Sequence, residues 1–546
     1  MSGDGPSEST RLVIEDAPPP SSTSTDPHER GRRYQSGGSR GGGGLLSRQV
    51  LMVGGVLVVA AVVVLAVLLT QGDDAANTER AADSFAARVT ADDITVHLRM
   101  LYNISQRYPN TRSAIYGGYN ESVEYVVSQL NTSDSDYYTV TVQPFTVTTF
   151  KETATPVLNL TRDGTVTPFP GVATMAYSAS GTVTAQFKAV RNYGCQPSDW
   201  FGLAGAIALV QRGNCTLYDQ GYYGKTAGVA GIVFGNTPQY PTLPLRSRVR
   251  RRNDSATVDL PMIGTSHNQF LELTEAITLG PINATIVTAG ELVPQYTANV
   301  IADMKYGRED SVIVVGGHLD SVEAGPGIND NGSGSSMILQ MALEMRRMHA
   351  QPVNKVRFIW FGAEELGLLG SYHYVNDLKA NDPEALANIT CMFNFDMVAS
   401  PNFIRGVYDG ATATDPTAAS GSTIIQHEFE KRFDALGLTW QLTEFNERSD
   451  YAAFTLNQIP AGGLFTGAEG PVGGKTAEER RKFGGIMNVA YDTCYHMACD
   501  DLDNIHEGVL GEMANAASYV VYDFALKENL QQFLYPNATA AATMAF

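Results

Sequence analysis

Histidine and aspartate side chains that could bind a metal ion follow the apolar run Val312–Val315. His318 and Asp320 come directly after this run, and Asp330 lies further along in a loop rich in glycine and asparagine. In open α/β sheets, ligands bind in the crevice at the carboxyl ends of the strands. A solvated loop with an incidental histidine would have the same sequence, so this stretch alone does not decide between the two readings.

Three further stretches supply the same kinds of side chain. Glu364 and Glu365 follow the apolar sequence VRFIWF, Asp396 follows CMFNF, and His496 lies between two cysteines. Charged side chains are rarely buried unless they are paired or bound to a metal. Imidazole nitrogen together with carboxylate oxygen, without cysteine sulfur, suits zinc in a catalytic site. The sequence therefore predicts a zinc site built from several strand ends.

Strand-like and helix-like patterns alternate through this part of the chain and would position those side chains. The apolar runs are short, as buried strands are, whereas Met337, Ile338 and Met341 recur at helical spacing. Such alternation predicts an α/β domain of three layers with a mostly parallel sheet.

Seven motifs identify a family that this chain resembles. In order they are HLDS, NDNGSG, GAEELGLLGS, NFDM, RSDYAAF, GGLFTGAEG and CYHMACDDLDNI. They resemble the zinc aminopeptidases of metallopeptidase family twenty-eight, which include vacuolar aminopeptidase Y and secreted bacterial leucine aminopeptidases. The resemblance covers about residues 91–534.

The resemblance implies two zinc ions (Zn²⁺) that share one carboxylate. One ion would be bound by His318, Asp330 and Asp396, and the other by Asp330, Glu365 and His496. In relatives the residue corresponding to Asp330 is followed by a cis peptide bond, so we expect one here.

Three further residues have predicted catalytic roles. Adjacent residues at a strand end point in different directions, so Glu364 is left to act as the general base beside the ligand Glu365. Asp320 would accept a hydrogen bond from the second ring nitrogen of His318. Tyr495 would donate its hydroxyl to the developing oxyanion, although a packing aromatic is the alternative.

A substrate pocket is expected beside the same motifs. Met397 and Phe465 are candidates for an apolar pocket that receives the first side chain, and each could instead be a core residue. The resemblance implies that Glu364 and Asp396 bind the free α-amine of the peptide, and Arg448 lies near the same corner.

The chain divides into several segments by composition. Residues 151–290 are rich in glycine and β-branched residues and resemble an inserted protease-associated domain, or are simply another β-rich subdomain. The peptidase domain would then consist of residues 71–150 and 291–535, with 536–546 as a disordered tail. The basic run 246–252 could be a cleavable loop or a solvated one.

The N-terminal region predicts a membrane anchor. Residues 1–49 are rich in serine, proline and glycine, which is typical of a disordered tail. Residues 50–70 are uncharged and long enough to form a transmembrane helix. Arginines precede this span, while Asp73 and Asp74 follow it, so the tail is expected in the cytoplasm. We therefore expect a single-pass type II protein with a lumenal or extracellular body, in a vacuolar, lysosomal or plasma membrane.

Glycosylation sequons and cysteines agree with this orientation. Sequons beyond the anchor are at Asn103, Asn120, Asn131, Asn159, Asn214, Asn253, Asn283, Asn388 and Asn537. A further match at Asn331 is discounted, because a glycan there would obstruct the metal loop. We expect disulfides between Cys195 and Cys215 and between Cys494 and Cys499, with Cys391 a buried thiol.

Net charge and the family resemblance restrict the possible partners and functions. A net charge of −19 argues against nucleic acid, and the expected substrates are peptides with a free N-terminus. A carboxypeptidase or a glutaminyl cyclase of the same superfamily, or a receptor that has lost its metal ligands, are the other readings. Two, one or no zinc ions per chain would distinguish them, and the oligomeric state is left open.

Overall fold

The residues that the computed structural model describes are 76–131, 136–213, 215–250, 257–471 and 474–536. They belong to one compact unit, Asp73–Phe546. The predicted cytoplasmic tail and the predicted membrane span lie outside the described residues. Among the helices that are described, none is long and apolar enough to cross a membrane.

The helices alternate with the strands along most of the described chain. They are α1 (76–86), α2 (Ala91–Gln106), α3 (Gly117–Leu130), α4 (Leu217–Thr226), α5 (His267–Thr278), α6 (Gly334–Arg347), α7 (Leu369–Asn381), α8 (Pro383–Ala387), α9 (Pro416–Ala435), α10 (Tyr451–Thr455), α11 (Ala477–Phe483), α12 (Glu507–Leu526) and α13 (Leu530–Leu534).

The strands form one continuous hydrogen-bonded path with a short side branch. They are β1 (Tyr138–Arg162), β2 (Thr165–Pro168), β3 (Ala173–Thr174), β4 (Gly181–Ala189), β5 (Ile207–Gln211), β6 (Gly231–Gly235), β7 (Met262–Thr265), β8 (Asn283–Met304), β9 (Arg308–His318), β10 (Asn354–Phe361), β11 (Ile389–Phe395), β12 (Gly406–Asp409), β13 (Gln441–Glu444) and β14 (Ala461–Phe465). The order is β13-β12-β14-β11-β9-β10-β8-β4-β5-β6-β7-β3, with β1 paired to β8 and β2.

Alternating side chains of the central strands are buried on both faces of the sheet, which explains why these strands read as continuous apolar runs. Ile313 and Val315 of β9 pack into a core with α2, α6, α9 and α12, whereas Val314 packs into the core on the opposite face. In β10, Phe358 packs into the first of these cores and Ile359 into the second. The peptidase domain therefore has the three layers that were predicted.

The sheet is mixed, so the predicted mostly parallel order is confirmed only in part. Strands β10, β9, β11 and β14 are parallel neighbours. Strand β8 is antiparallel to both β10 and β1, and β12 is antiparallel to β14. The antiparallel β1–β8 pair leads out of the peptidase sheet and continues into the inserted region. Within the peptidase domain, parallel pairing is therefore found among β10, β9, β11 and β14 and between β12 and β13.

The inserted region has its own parallel strands and its own cores. Strands β4, β5, β6 and β7 are parallel neighbours, with α4 and α5 beside them. A disulfide joins Cys195 to Cys215 here, as predicted. Strands β1 and β8 run through residues 150 and 290, so the predicted domain boundaries lie inside strands and stay predictions.

Candidate metal centre

The predicted ligands lie together because three parallel strands end at one edge of the sheet. His318 is the last residue of β9 and is paired with Phe361, the last residue of β10. Glu364 follows β10 by three residues, and Asp396 directly follows β11. The carboxyl ends of parallel strands open the crevice into which all these side chains extend.

The first metal triad consists of His318, Asp330 and Asp396. The Nε2 atom of His318 lies 3.2 Å from Oδ1 of Asp330 and 3.3 Å from Oδ1 of Asp396. These side chains are 1 %, 6 % and 12 % exposed, respectively. Such a cluster of one imidazole and two carboxylates in a nearly buried position has the donor atoms and the geometry to bind a metal ion.

The second metal triad consists of Asp330, Glu365 and His496. The Nε2 atom of His496 lies 3.1 Å from Oδ2 of Asp330 and 3.1 Å from Oε2 of Glu365. Asp330 therefore directs one oxygen to each triad, which is the arrangement of a bridging ligand. The His496 side chain is 40 % exposed, so this triad faces the open cleft.

The turn Ile328–Ser333 fixes the bridging aspartate by its backbone. The Asp500 carboxylate accepts hydrogen bonds from the backbone N–H groups of Asn329 at 2.9 Å and of Asp330 at 3.0 Å. The peptide bond between Asp330 and Asn331 is cis, as expected. Asn331 is fully buried and donates its amide to a backbone carbonyl, so its sequon is not available for a glycan.

A buried arginine holds the preceding part of the metal loop. Arg112 is 0 % exposed and donates to the carbonyl oxygens of Pro326 at 2.9 Å, Gly327 at 2.6 Å and Leu319. The Gly327 carbonyl also accepts the N–H of Gly332 at 3.0 Å, whereas Arg112 is the donor to the carbonyls of Pro326 and Leu319. Buried carbonyls without such donors would cost stability. The positive charge also lies behind a cluster of carboxylates.

Asp320 has a different role from the one predicted. The Nδ1 atom of His318 is 3.0 Å from the backbone carbonyl of Asp320 but 3.7 Å from its carboxylate, which is too long for a hydrogen bond. The Asp320 carboxylate instead accepts the backbone N–H groups of Glu364 at 3.1 Å and Glu365 at 3.3 Å. Asp320 thus orients His318 through its carbonyl and both glutamates through its side chain.

Two buried carboxylate oxygens test whether the site fits a metal. Asp396 Oδ1 and Glu365 Oε1 are buried and accept no hydrogen bond from the residues that the structure describes. An unpaired buried oxygen of this kind is costly unless a cation lies beside it. The residues present therefore fit zinc, whose usual ligands include imidazole and carboxylate.

The titrating groups perturb one another strongly. Burial opposes ionisation of Asp330, but hydrogen bonds from His318 and His496 outweigh it and lower the pKa of Asp330. Burial alone would lower the pKa of His496, but the carboxylates of Glu365 and Asp330 outweigh it and raise this pKa to about 11. Burial raises the pKa of Glu364 well above its usual range. Perturbed groups gathered in a cleft are typical of a functional site.

The cleft in front of the metal triads has a volume of about 500 Å³. Met397 and Phe465 both line it, and the Phe465 ring stacks on that of Tyr408 at 6.4 Å between centroids. Arg448 lines it as well and donates to Glu469 at 3.0 Å and to the Tyr495 hydroxyl at 3.2 Å. The structure thus brings all three predicted pocket residues to the cleft wall.

The loop that carries His496 is closed by a disulfide. Cys494 is bonded to Cys499, and the Cys494 N–H donates to the Asp492 carboxylate at 2.8 Å. The predicted pairing is confirmed here and in the inserted region, and Cys391 is a buried free thiol. The Tyr495 ring stacks on the His496 ring at 3.8 Å between centroids.

Comparison with known proteins assigns the family. The model of peptidase family M28 matches residues 299–521, and the PA domain model matches residues 179–273. Leucine aminopeptidase 2 of Arthroderma otae is 34% identical over 450 residues, which are 81% of this chain and 86% of that protein. The chain belongs to peptidase family M28. The resemblance inferred from the seven motifs is confirmed.

Other relatives of this M28 peptidase agree. An aminopeptidase of Pseudomonas aeruginosa strain UCBPP-PA14 is 35% identical over 452 residues, which are 79% of this chain and 80% of that protein. An aminopeptidase structure from Aneurinibacillus sp. strain AM-1 shares the fold with a TM-score of 0.65 at 24% identity, over 82% of this chain and 97% of that one. The structure of BSAP, a zinc aminopeptidase from Bacillus subtilis, also shares the fold. Its TM-score is 0.59 at 23% identity, over 81% of this chain and 96% of BSAP. The two solved structures show that the fold is shared, and the Pseudomonas relative agrees with the assignment of the chain to peptidase family M28.

Some residues of the M28 site were not found from the sequence. Arg112 lies far along the chain from the metal loop that it holds, and no spacing rule connects the two. Asp500 could have been suspected, because it belongs to the matched motif CYHMACDDLDNI. Glu469 could have been suspected, because it belongs to the matched motif GGLFTGAEG. Arg248 of the inserted domain also lines the cleft, although no chemistry was predicted for that domain.

Proposed function

We propose that this M28 peptidase is an aminopeptidase that binds two zinc ions and removes N-terminal residues from peptides. The observation that carries this proposal is the sharing of Asp330, whose two carboxylate oxygens each face a different triad. His318 and Asp396 would complete one zinc site, and Glu365 and His496 would complete the other.

The residues around the zinc ions have separate tasks. When bound, zinc acidifies water and polarises the carbonyl of the peptide bond. The backbone N–H of Glu364 donates to the Asp320 carboxylate, which fixes the position of this residue. The Glu364 carboxylate accepts the proton of the attacking water and later delivers it to the leaving amine. The Tyr495 hydroxyl donates to the carbonyl oxygen as negative charge develops there, and Arg448 orients that hydroxyl.

The position of the carboxylates and of the apolar wall would make the enzyme act from the N-terminus. Glu364 and Asp396 line the cleft beside the triads and would bind the free α-ammonium group of the substrate. Met397 and Phe465 would contact the first side chain. A peptide with a blocked amine loses the first of these interactions, so it should be a poor substrate.

Zinc content and substrate selectivity test this function together. The purified lumenal part should contain two zinc ions per chain and hydrolyse leucine p-nitroanilide but not its N-acetyl derivative. Chelation should abolish hydrolysis, and zinc should restore it. One zinc per chain, or equal hydrolysis of the blocked substrate, would contradict the proposal.

We also infer that the enzyme is a type II membrane protein with its catalytic domain in a lumen or outside the cell. The proposal rests on residues 50–70 and on sequons, of which Asn103, Asn120, Asn131 and Asn283 are exposed. In sealed membranes, residues 1–49 should be cleaved by protease from the cytosolic side. An endoglycosidase should remove glycans from the body. Protection of the tail would reverse the orientation.

A further inference from the structure

A chain of contacts leads from an ion pair on the cleft wall to the second metal triad. Arg448 donates from Nη1 to one carboxylate oxygen of Glu469 at 3.0 Å and from Nη2 to the other at 3.3 Å. The same Nη2 donates to the Tyr495 hydroxyl at 3.2 Å, and the Tyr495 ring stacks on that of the proposed zinc ligand His496. One hydrogen bond therefore connects the Glu469–Arg448 pair to the catalytic groups.

Both partners of this pair are carried by anchored backbone. The carbonyl of Ala468, next to Glu469, accepts the N–H of Asp492 at 3.0 Å. The N–H of Arg448 donates to the side chain of Asn446 at 3.1 Å. Two parallel hydrogen bonds join the carboxylate to the guanidinium, which is the geometry in which an exposed ion pair does hold its side chains. The pair is thus a fixed part of the cleft wall, although its side chains are 45 % and 47 % exposed.

The arginine determines how the Tyr495 hydroxyl can be used. A guanidinium has five donors and no acceptor, so the hydroxyl oxygen accepts from Arg448. The hydroxyl proton is then left for the carbonyl oxygen of the substrate, as the proposed mechanism requires. Arg448 serves this purpose, but it also brings a positive charge close to the reacting carbonyl group.

That positive charge affects substrate and product differently. The substrate carbonyl is uncharged, whereas hydrolysis turns it into the carboxylate of a free amino acid. A nearby guanidinium attracts the carboxylate more strongly than the carbonyl. The α-ammonium group of the same amino acid would still be bound by Glu364 and Asp396. Arg448 without a partner would therefore retain the product, and the Glu469 carboxylate offsets its charge.

We propose that Glu469 is a positioning residue that weakens the binding of free amino acids to the active site. It neutralises Arg448 while leaving in place the donor that orients Tyr495, so the carboxylate product is released more readily. The inference rests on the proposed aminopeptidase function, because the product is the amino acid which that reaction would release. It predicts that loss of the Glu469 charge strengthens the binding of a ligand only when the ligand carries a carboxylate.

L-Leucine and L-leucinol test this prediction, since they share the ammonium group and the side chain and only leucine carries a carboxylate. Both are measured as competitive inhibitors of leucine p-nitroanilide hydrolysis by the zinc-loaded full-length enzyme, and by calorimetric titration. In Glu469→Gln, the dissociation constant of leucine should fall by about threefold to tenfold, between the effects of an exposed ion pair and of a charge-assisted hydrogen bond. The dissociation constant of leucinol should stay unchanged.

Glu444→Gln is the matched control. Glu444 is exposed and lines the same cleft, and it forms no side-chain ion pair within the part of the chain that the structure describes. Its replacement removes the same charge from the same cleft, but it should leave the ratio of the two dissociation constants unchanged. An equal change in Glu444→Gln and Glu469→Gln would show that only the overall charge of the cleft matters, and it would overturn the inference.

A double variant shows whether the effect depends on the arginine. When Arg448→Met is combined with Glu469→Gln, calorimetry should find that the affinity for leucine gained in the single Glu469 variant is lost again. A gain that persists without Arg448 would contradict the proposed route. Glu469→Asp keeps the charge, so its ratio of leucinol to leucine dissociation constants should stay near that of the wild-type enzyme.

A second removal variant keeps the test decisive if Glu469→Gln does not fold. Glu469→Ala replaces a side chain that is 47 % exposed, so it leaves no buried group without a partner, and it should show the same selective gain for leucine. An unchanged ratio in either folded variant would refute the role of Glu469. Absence of leucine p-nitroanilide hydrolysis by the wild-type enzyme would instead refute the aminopeptidase function itself.

Discussion

The two metal triads share Asp330 but are held in different ways. The first takes His318 and Asp396 from the ends of core strands, and its imidazole is 1 % exposed. The second takes Glu365 from a turn and His496 from a disulfide-closed loop, and its imidazole is 40 % exposed. Core packing thus fixes one site, whereas local restraints fix the other. We expect zinc to leave the second site first.

The largest expected effect separates catalysis from metal binding. Glu364→Ala removes the proposed general base but no ligand from either triad. Turnover of leucine p-nitroanilide should fall by about 10²- to 10⁴-fold, the usual contribution of general acid–base catalysis. Zinc analysis of the same sample should still find two ions per chain.

Replacing the adjacent glutamate should break one triad and spare the other. Glu365→Ala removes a ligand that lies 3.1 Å from His496 but leaves His318 and Asp396 in place. One zinc should bind at least about 100-fold more weakly, since even partners outside the ligand shell contribute 10- to 100-fold. Added zinc should recover part of the activity, which it should not do for Glu364→Ala. If Glu364→Ala lost a zinc while Glu365→Ala kept both, the two roles would be reversed.

The contrast between the triads also explains what the sequence could predict. His318, Glu365 and Asp396 follow short apolar runs that are typical of buried strands, so their convergence at one sheet edge was foreseeable. The family motifs then identified Asp330 as the shared ligand and placed His496 in the second triad. The three-layer arrangement followed from the alternation of strands and helices, but the antiparallel β1–β8 pair did not.

What the sequence could not predict depends on contacts between distant segments. Arg112 reaches carbonyls more than two hundred positions away, as its bond to Pro326 shows with a separation of 214 residues. Arg248 reaches the cleft because of how the inserted domain packs, which no local pattern encodes. Asp320 was assigned to the correct histidine, yet whether its carbonyl or its carboxylate bonds the ring is a matter of backbone path.

A residue that serves both triads should affect both zinc ions. Asp500→Ala removes the acceptor for the backbone N–H groups of Asn329 and Asp330, which leaves them buried without partners. Because Asp330 faces both triads, both zinc affinities should fall together, by about 10- to 100-fold. A competition titration against a chelator measures the two zinc-binding steps, one for each ion. Asp503→Ala, which changes an exposed aspartate nearby, is the control, and weakening of one step alone would show that Asp500 acts on a single triad.

The smallest expected effect concerns the disulfide beside the second triad. Cys494 and Cys499 are separated by 5 positions, whereas Cys195 and Cys215 are separated by 20. The chain-entropy model assigns about 2 kcal/mol to the short loop and about 3 kcal/mol to the long one. The long bridge should therefore contribute more to the free energy of unfolding. The short bridge should instead restrain the position of His496.

Serine replacements at the two bridges should separate these effects. Cys494→Ser with Cys499→Ser should weaken the second zinc by about threefold to tenfold, within the roughly 30-fold limit that 2 kcal/mol sets. The loss stays below that limit because the residue 494 N–H can still donate to Asp492. Cys195→Ser with Cys215→Ser should lower the unfolding temperature and leave both zinc steps unchanged. The zinc-binding step that Glu365→Ala weakens identifies the second site. An equal shift of both steps in the first variant would show that the disulfide restrains more than the His496 loop.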